Sequence, residues 1–157
     1  MDALMTGLVM GLLGTAAMDL WAQVLHRAFG QPLPNWAMPG RWLAHIARGR
    51  VWHDDIGRAE AVPGELPLGW VFHYGVGVIY GVVFVWLAAP GWVEDPSFLP
   101  LWAFSLLTIA AGWFLLQPGM GLGWAASRTP NPWTVRAMGL VAHTWFGLGM
   151  WIGALVV

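Results

Sequence analysis

The residues able to do chemistry are gathered in one stretch. Between Arg41 and His73 lie His45, His53, Asp54, Asp55, Glu60 and Glu65, together with Arg48, Arg50 and Arg58. This stretch holds three of the five histidines, four of the seven arginines and four of the eight acids, so the polar chemistry is concentrated in an otherwise apolar chain. Imidazole and carboxylate are N/O donors of the kind that bind zinc, iron or manganese. His45, His53, Asp54, Glu65 and His73, joined by His143 from further along, therefore form a candidate metal set. No fixed spacing such as His-Glu-x-x-His accompanies them. Asp54, Asp55 and Glu65 are also candidate catalytic bases, with the histidines as acids. No nucleophile stands out, because Ser127 and Thr129 lack an elbow or triad spacing.

Two further chemistries are open. His73 and His143 sit on different apolar runs and suit the axial positions of a b-type haem; a divalent metal ion is the preferred cofactor and haem b the lesser one. Arg41, Arg48 and Arg128, with Arg50 and Arg136 nearby, suit an anion or lipid headgroup, and the turn at Gly119, Gly121 and Gly123 can present backbone N–H groups to it. The Gly-Lys-Ser/Thr ending of a P-loop is missing. Each residue also has a plainer reading. Asp19 can hold helices in register through an arginine, and a histidine can bond a carbonyl in a packed interface.

These residues must be positioned by an apolar body. The chain has 157 residues, of which 58% are hydrophobic and only 10% charged. Its mean hydropathy is +0.61. Ordinary soluble domains carry about 25% charged residues, so most of this surface faces lipid or protein. All basic residues are arginine, and a net charge of -1 argues against a nucleic-acid partner. The absence of cysteine excludes disulfides and thiolate sites. The Met-Asp start lacks a basic region, so the first apolar run is read as retained rather than as a signal peptide.

Four apolar runs are long enough to span a bilayer, which takes about 20 residues. They cover about 3–26, 66–89, 98–117 and 132–157. They are too long and too uniform for barrel strands. The expected fold is therefore all-α: a single polytopic membrane domain, 1–157, of four transmembrane helices. The first loop, 35–65, is a polar hub holding a short amphipathic helix, which Pro39 and Gly40 delay until Arg41, and then a polar flap. Asn131 followed by Pro132 suits the start of the fourth helix. Gly7, Gly11 and Gly14 on the first run, and Gly69, Gly77 and Gly81 on the second, allow close helix approach. Gly149 and Gly153 offer a face for a homo-oligomer.

The arginines set the orientation. The first and third loops with their flanking turns hold all seven, while the second loop carries Glu94 and Asp95. The positive-inside rule then puts the hub in the cytoplasm and both termini outside. Depth brings one polar group from each run towards the hub. Asp19 lies eight residues before Arg27, roughly 12 Å, and His143 lies seven beyond Arg136, roughly 10 Å. With His73 and Gln117 they form a layer in which Asp19, Gln117 and Arg136 are expected buried partners, and His73 and His143 are expected to face each other.

Several motifs carry a family resemblance. They are Gly40-Arg41-Trp42 with His45, then His53-Asp54, then Gly69-Trp70 with His73-Tyr74. Gln117-Pro118-Gly119-Met120-Gly121, the run Ala125 to Pro132 (AASRTPNP) and His143 with Phe146-Gly147-Leu148-Gly149 continue it. The chain resembles the domain of unknown function 2938 family over nearly its whole length. The resemblance implies a small bacterial inner-membrane protein of four helices and implies no activity. The expected function is a membrane protein whose hub binds a metal ion or small ligand, with enzyme action at the inner leaflet as an extension. An accessory or assembly subunit of a larger membrane complex is the alternative, and a small transporter or haem-binding bundle comes third.

Overall fold

The structure, a computed structural model, describes residues 2–88 and 91–157. Among these all the regular structure is helical, with no strand. Helix α1 runs Ala3–Phe29, α2 Ala37–Ile46, α3 Glu65–Leu87, α4 Phe98–Gly119 and α5 Pro132–Leu155. All but α2 are long and apolar enough to cross a membrane. The expected end of the second span at Ala89, and the turn residue Pro90, lie outside the described residues.

Local chemistry sets the helix ends. Asp2 opens α1 by accepting the Met5 N–H at 2.8 Å. Gly30 closes it in the left-handed conformation at φ 67°, donating its N–H to the His26 carbonyl at 3.0 Å, while the Gln31 N–H reaches the Leu25 carbonyl at 3.4 Å. Asn131 and Pro132 start α5 as expected, and the Val135 N–H reaches the Asn131 carbonyl at 3.2 Å. The expected delay of α2 until Arg41 is corrected. The helix begins at Ala37, where the Asn35 side chain accepts the Ala37 N–H at 3.1 Å. Pro39 then falls in the first turn, where a missing N–H costs nothing. A single π turn, Gly112–Leu116, interrupts α4.

The chain forms two compact units. The first lies within Met1–Leu33, Tyr74–Thr108 and Leu140–Val157. Its core holds Met10, Phe84, Leu101, Phe146 and Met150. Glycines set the helix spacing there. A Cβ on Gly11 would meet Val78 Cα at 2.5 Å, and one on Gly77 would overlap Thr15 Oγ1. Thr15 is held in place by donating to the Gly11 carbonyl at 2.8 Å. The expected use of Gly149 and Gly153 between copies is corrected. A Cβ on Gly153 would meet Met10 Cα at 2.8 Å and one on Gly149 would meet Gly14 Cα at 2.8 Å, so α1 of the same chain occupies that face.

The second unit comprises Pro34–His73 and Ile109–Gly139. It contains α2, the segment to Glu65, the first turns of α3, the end of α4, and the loop leading into α5. It has its own apolar centre of Trp42, Ile56 and Met120, with Met38, Leu43, Ile46, Phe72, Leu116 and Leu122 around it. The hub is thus a packed body and not a flap. Gly40 and Gly69 let α2 lie on the first turns of α3; a Cβ at either would overlap a carbonyl oxygen, of Glu65 and Trp36 respectively.

Candidate functional site

The hub is built around Arg41. From α2 its guanidinium meets the Glu65 carboxylate in a two-pronged pair, Nε to Oε2 at 2.8 Å and Nη2 to Oε1 at 2.7 Å. The same guanidinium donates to the carbonyls of Ile56 at 3.0 Å and Ala59 at 3.1 Å. Glu65 also accepts the Val62 N–H at 2.9 Å. One side chain therefore fastens the middle of the connecting segment and the start of α3 to α2. The hydrogen-bonded carboxylate holds the Arg41 pKa above its ordinary value, against the lowering effect of burial. Arg41 and Glu65, expected as headgroup and metal or base candidates, are engaged with each other.

Two loops are laced together beside this clasp. The His53 N–H reaches the Gly119 carbonyl at 3.0 Å and the Ile56 N–H reaches the Met120 carbonyl at 3.0 Å. Trp42 Nε1 donates to the Val51 carbonyl at 2.8 Å, and its ring covers Gly119. Glycine is required at Gly121, where φ is 88° and a Cβ would overlap the Asp54 carbonyl. The next turn places Ala125 and Ala126 in the left-handed region at φ 46° and 61°. Arg136 pins this turn by donating Nε–H to the Ala125 carbonyl at 2.8 Å, with its guanidinium 4.5 Å from the Trp133 ring centroid. Arg136 is thus a loop clasp.

The histidines divide between the units. In the hub, His45 and His53 are buried and joined, Nδ1 to Nε2, at 2.8 Å. Their other nitrogens lie on backbone carbonyls, His45 Nε2 on Glu60 at 3.0 Å and His53 Nδ1 on Gly119 at 3.1 Å. His73, also in the hub, stacks on Trp36 with centroids 3.8 Å apart. His143 belongs to the other unit, where its Nδ1 lies 2.9 Å from the Ser105 carbonyl and 3.1 Å from Thr108 Oγ1. Asp19 is there too, accepting the Tyr74 hydroxyl at 2.8 Å. Sequence reasoning passed over Tyr74, although its place beside His73 is the signal that points to it.

The donor set does not fit a metal. All four ring nitrogens of His45 and His53 are turned to each other or to carbonyls, and Glu65 is held by Arg41. Among the described residues no three His, Cys, Asp or Glu side chains gather where an ion could sit. Of the candidate bases, Asp55 accepts the Gly57 N–H at 2.8 Å and meets Arg58 at 3.3 Å, as turn residues do. Gln117 leaves its buried Oε1 without a hydrogen-bond partner.

What the hub does offer is a cleft of about 480 Å³, with His53 of the pair in its wall. It is lined by Arg50, Trp52, His53, Asp54, Pro118, Gly123, Trp124, Ser127 and Arg128. Within the described residues neither the Arg50 nor the Arg128 guanidinium enters an ion pair. Trp52 and Trp124 stand exposed at its rim. Two unpaired guanidiniums, a hydroxyl and two indoles can hold an anion attached to an apolar or planar group. Arg128, a headgroup candidate, lines this cleft, and Asp54 is the candidate base that does so. Arg48 is exposed and does not line it. The two tryptophans were not singled out from the sequence; each lies within a few residues of one of the cleft arginines, in loops far apart along the chain.

Comparison with curated proteins and with solved structures found no match. The family described as protein of unknown function (DUF2938) matches residues 8–157, the span that holds all four long helices almost entire and the whole of the hub, and the chain belongs to that family.

Proposed function

We propose that this is an integral protein of the bacterial inner membrane whose hub binds a small anionic ligand at the cytoplasmic surface. Four apolar helices support the membrane part. The confinement of all seven arginines to the first and third loops and their flanking turns supports a cytoplasmic hub and periplasmic termini. The observation that carries the ligand reading is the cleft, with Arg50 and Arg128 at its wall and in no ion pair among the described residues. Charge left unpaired beside a concave, tryptophan-rimmed space is what an anion site needs before its ligand arrives. A metal-dependent enzyme has less support, because among the described residues no three of the candidate ligand types gather at one point. Asp54 is the group to examine for any proton transfer to or from the bound ligand.

The test uses the cleft's own fluorophores. Purified protein is titrated with inorganic phosphate, methyl phosphate and succinate while tryptophan emission is followed. A saturable change is expected for at least one anion, weakened at least tenfold in Arg50→Ala and in Arg128→Ala. A flat response from folded wild-type protein to all three would sink the reading.

A further inference from the structure

The His45–His53 pair counts its own protons. A carbonyl oxygen only accepts, so His45 Nε2, 3.0 Å from the Glu60 oxygen, and His53 Nδ1, 3.1 Å from the Gly119 oxygen, both carry hydrogen. Two neutral imidazoles own one N–H each, and both are thereby used. The remaining nitrogens, His45 Nδ1 and His53 Nε2, nevertheless face each other at 2.8 Å. As two bare lone pairs they would repel. A third proton between them turns the contact into a charge-assisted hydrogen bond.

We propose that this pair holds the third proton, as an imidazolium donating to a neutral imidazole, and that its charge makes the cleft selective for a phosphate-monoester dianion over a phosphate-diester monoanion. The proposal rests on the cleft reading above and names the ligand class. The pair is 5% and 6% exposed, so its charge is poorly screened by water, and His53 itself lines the cleft. The other charged groups at the cleft are Arg50, Arg128 and Asp54. Away from the cleft lining, Glu65 feels the His45 ring electrostatically but is hydrogen-bonded to Arg41. Glu60 turns its backbone carbonyl to His45, and its residue is exposed. The cleft thus presents three positive charges and one negative. A monoanion leaves one positive charge over, and a monoester dianion balances the set. Trp52 and Trp124, 60% and 64% exposed, stand where the ester's organic part would lie. That part is either the glycerol backbone of a phosphatidic-acid-like lipid or a soluble alcohol.

The experiment uses the full chain in phosphatidylcholine nanodiscs at about pH 7.5, above the second phosphate ionisation near 6. Nitrogen-15 histidine spectra of the ligand-free protein should show three N–H groups on the pair and a coupling between His45 Nδ1 and His53 Nε2. Two N–H groups would overturn the proton count without touching the cleft reading. Methyl phosphate should then bind about tenfold more tightly than dimethyl phosphate, as expected for one added charge in a partly screened site. His45→Asn should cut that preference to about threefold, since its amide N–H replaces the shared proton without the charge and one net positive charge remains at the cleft. Should the variant fail to fold, the wild-type spectra and the monoester-to-diester ratio still decide. Equal binding of both phosphates by wild type refutes the selectivity alone, whereas no binding of either removes the cleft reading as well. Phosphatidic acid added to the disc should displace methyl phosphate if the ligand is a lipid headgroup, and leave it bound if the ligand is soluble.

Discussion

The Arg41–Glu65 clasp gives the most quantitative expectation. Replacing Arg41 with methionine keeps most of the side chain's bulk but leaves the Glu65 carboxylate with only the Val62 N–H, and frees the Ile56 and Ala59 carbonyls. Removing one partner of a fully buried pair costs about 3–5 kcal/mol. These side chains are 14% and 16% exposed, so water partly compensates and the lower figure of about 2–3 kcal/mol applies. For a chain of this size each kcal/mol moves Tm by about 2–4 °C, so a fall of about 5–10 °C is expected. The assay is thermal unfolding in detergent, followed by tryptophan emission, to which the buried Trp42 contributes from inside the hub. Arg41→Met/Glu65→Leu, which leaves no stranded charge, should recover part of the loss, with a coupling of at least about 1 kcal/mol. Arg58→Ala is the control, because the Arg58–Asp55 pair is 89% and 52% exposed and its loss should leave Tm unchanged. A Tm for Arg41→Met within about 2 °C of wild type, or strictly additive single effects, would refute the view that this clasp holds the hub together.

Other outcomes follow from the helix packing and the topology. Gly77→Ala should destabilise the chain markedly, since its Cβ collides with the fixed Thr15 hydroxyl; Gly75→Ala, two residues away with nothing within 4 Å, should be neutral or gain up to about 1 kcal/mol from helix propensity. Thermal unfolding of the two variants side by side checks the pair. Gly149→Val should disrupt the monomer's own fold rather than only its association, which size-exclusion chromatography of the detergent-solubilised variant separates. Because the chain has no cysteine, single cysteines placed at Ser127 and at Asp95 report orientation cleanly. In intact cells an impermeant maleimide should label Asp95→Cys and not Ser127→Cys, and the reverse pattern would invert the topology.

The sequence made the spans legible because the physics behind them is one-dimensional. Long uncharged runs mark membrane helices wherever their partners lie, and Asn131-Pro132 starts a helix by local chemistry alone. The small-residue spacing on α1 and α3 was readable for the same reason. The destination of each face was not. Gly149 and Gly153 look equally suited to a neighbouring copy or to α1, and only the tertiary arrangement decides. The α2 boundary was missed because Gly40 reads locally as a breaker, whereas close approach to α3 requires it. In the site, residue types were legible and partnerships were not. Arg41 finds Glu65 across 24 positions, and His53 finds Gly119 across 66, so both pairings depend on loops that pack on Ile56 and Met120. The metal set was attractive because histidine and carboxylate types coincide in one stretch. In the structure His45 and His53 bond each other, Glu65 is held by Arg41, and among the described residues no three such side chains gather at one point.

Arg50 and Arg128 are proposed to hold an anion in the hub cleft. Photocrosslinking with an aryl azide that carries a phosphate monoester tests it directly, with the labelled residues read by peptide mass spectrometry. Label is predicted on Trp52–Asp54 and Trp124–Arg128, and it should disappear in Arg50→Ala/Arg128→Ala. Label spread along the apolar faces of α1 and α5, unchanged in that double variant, would contradict the claim.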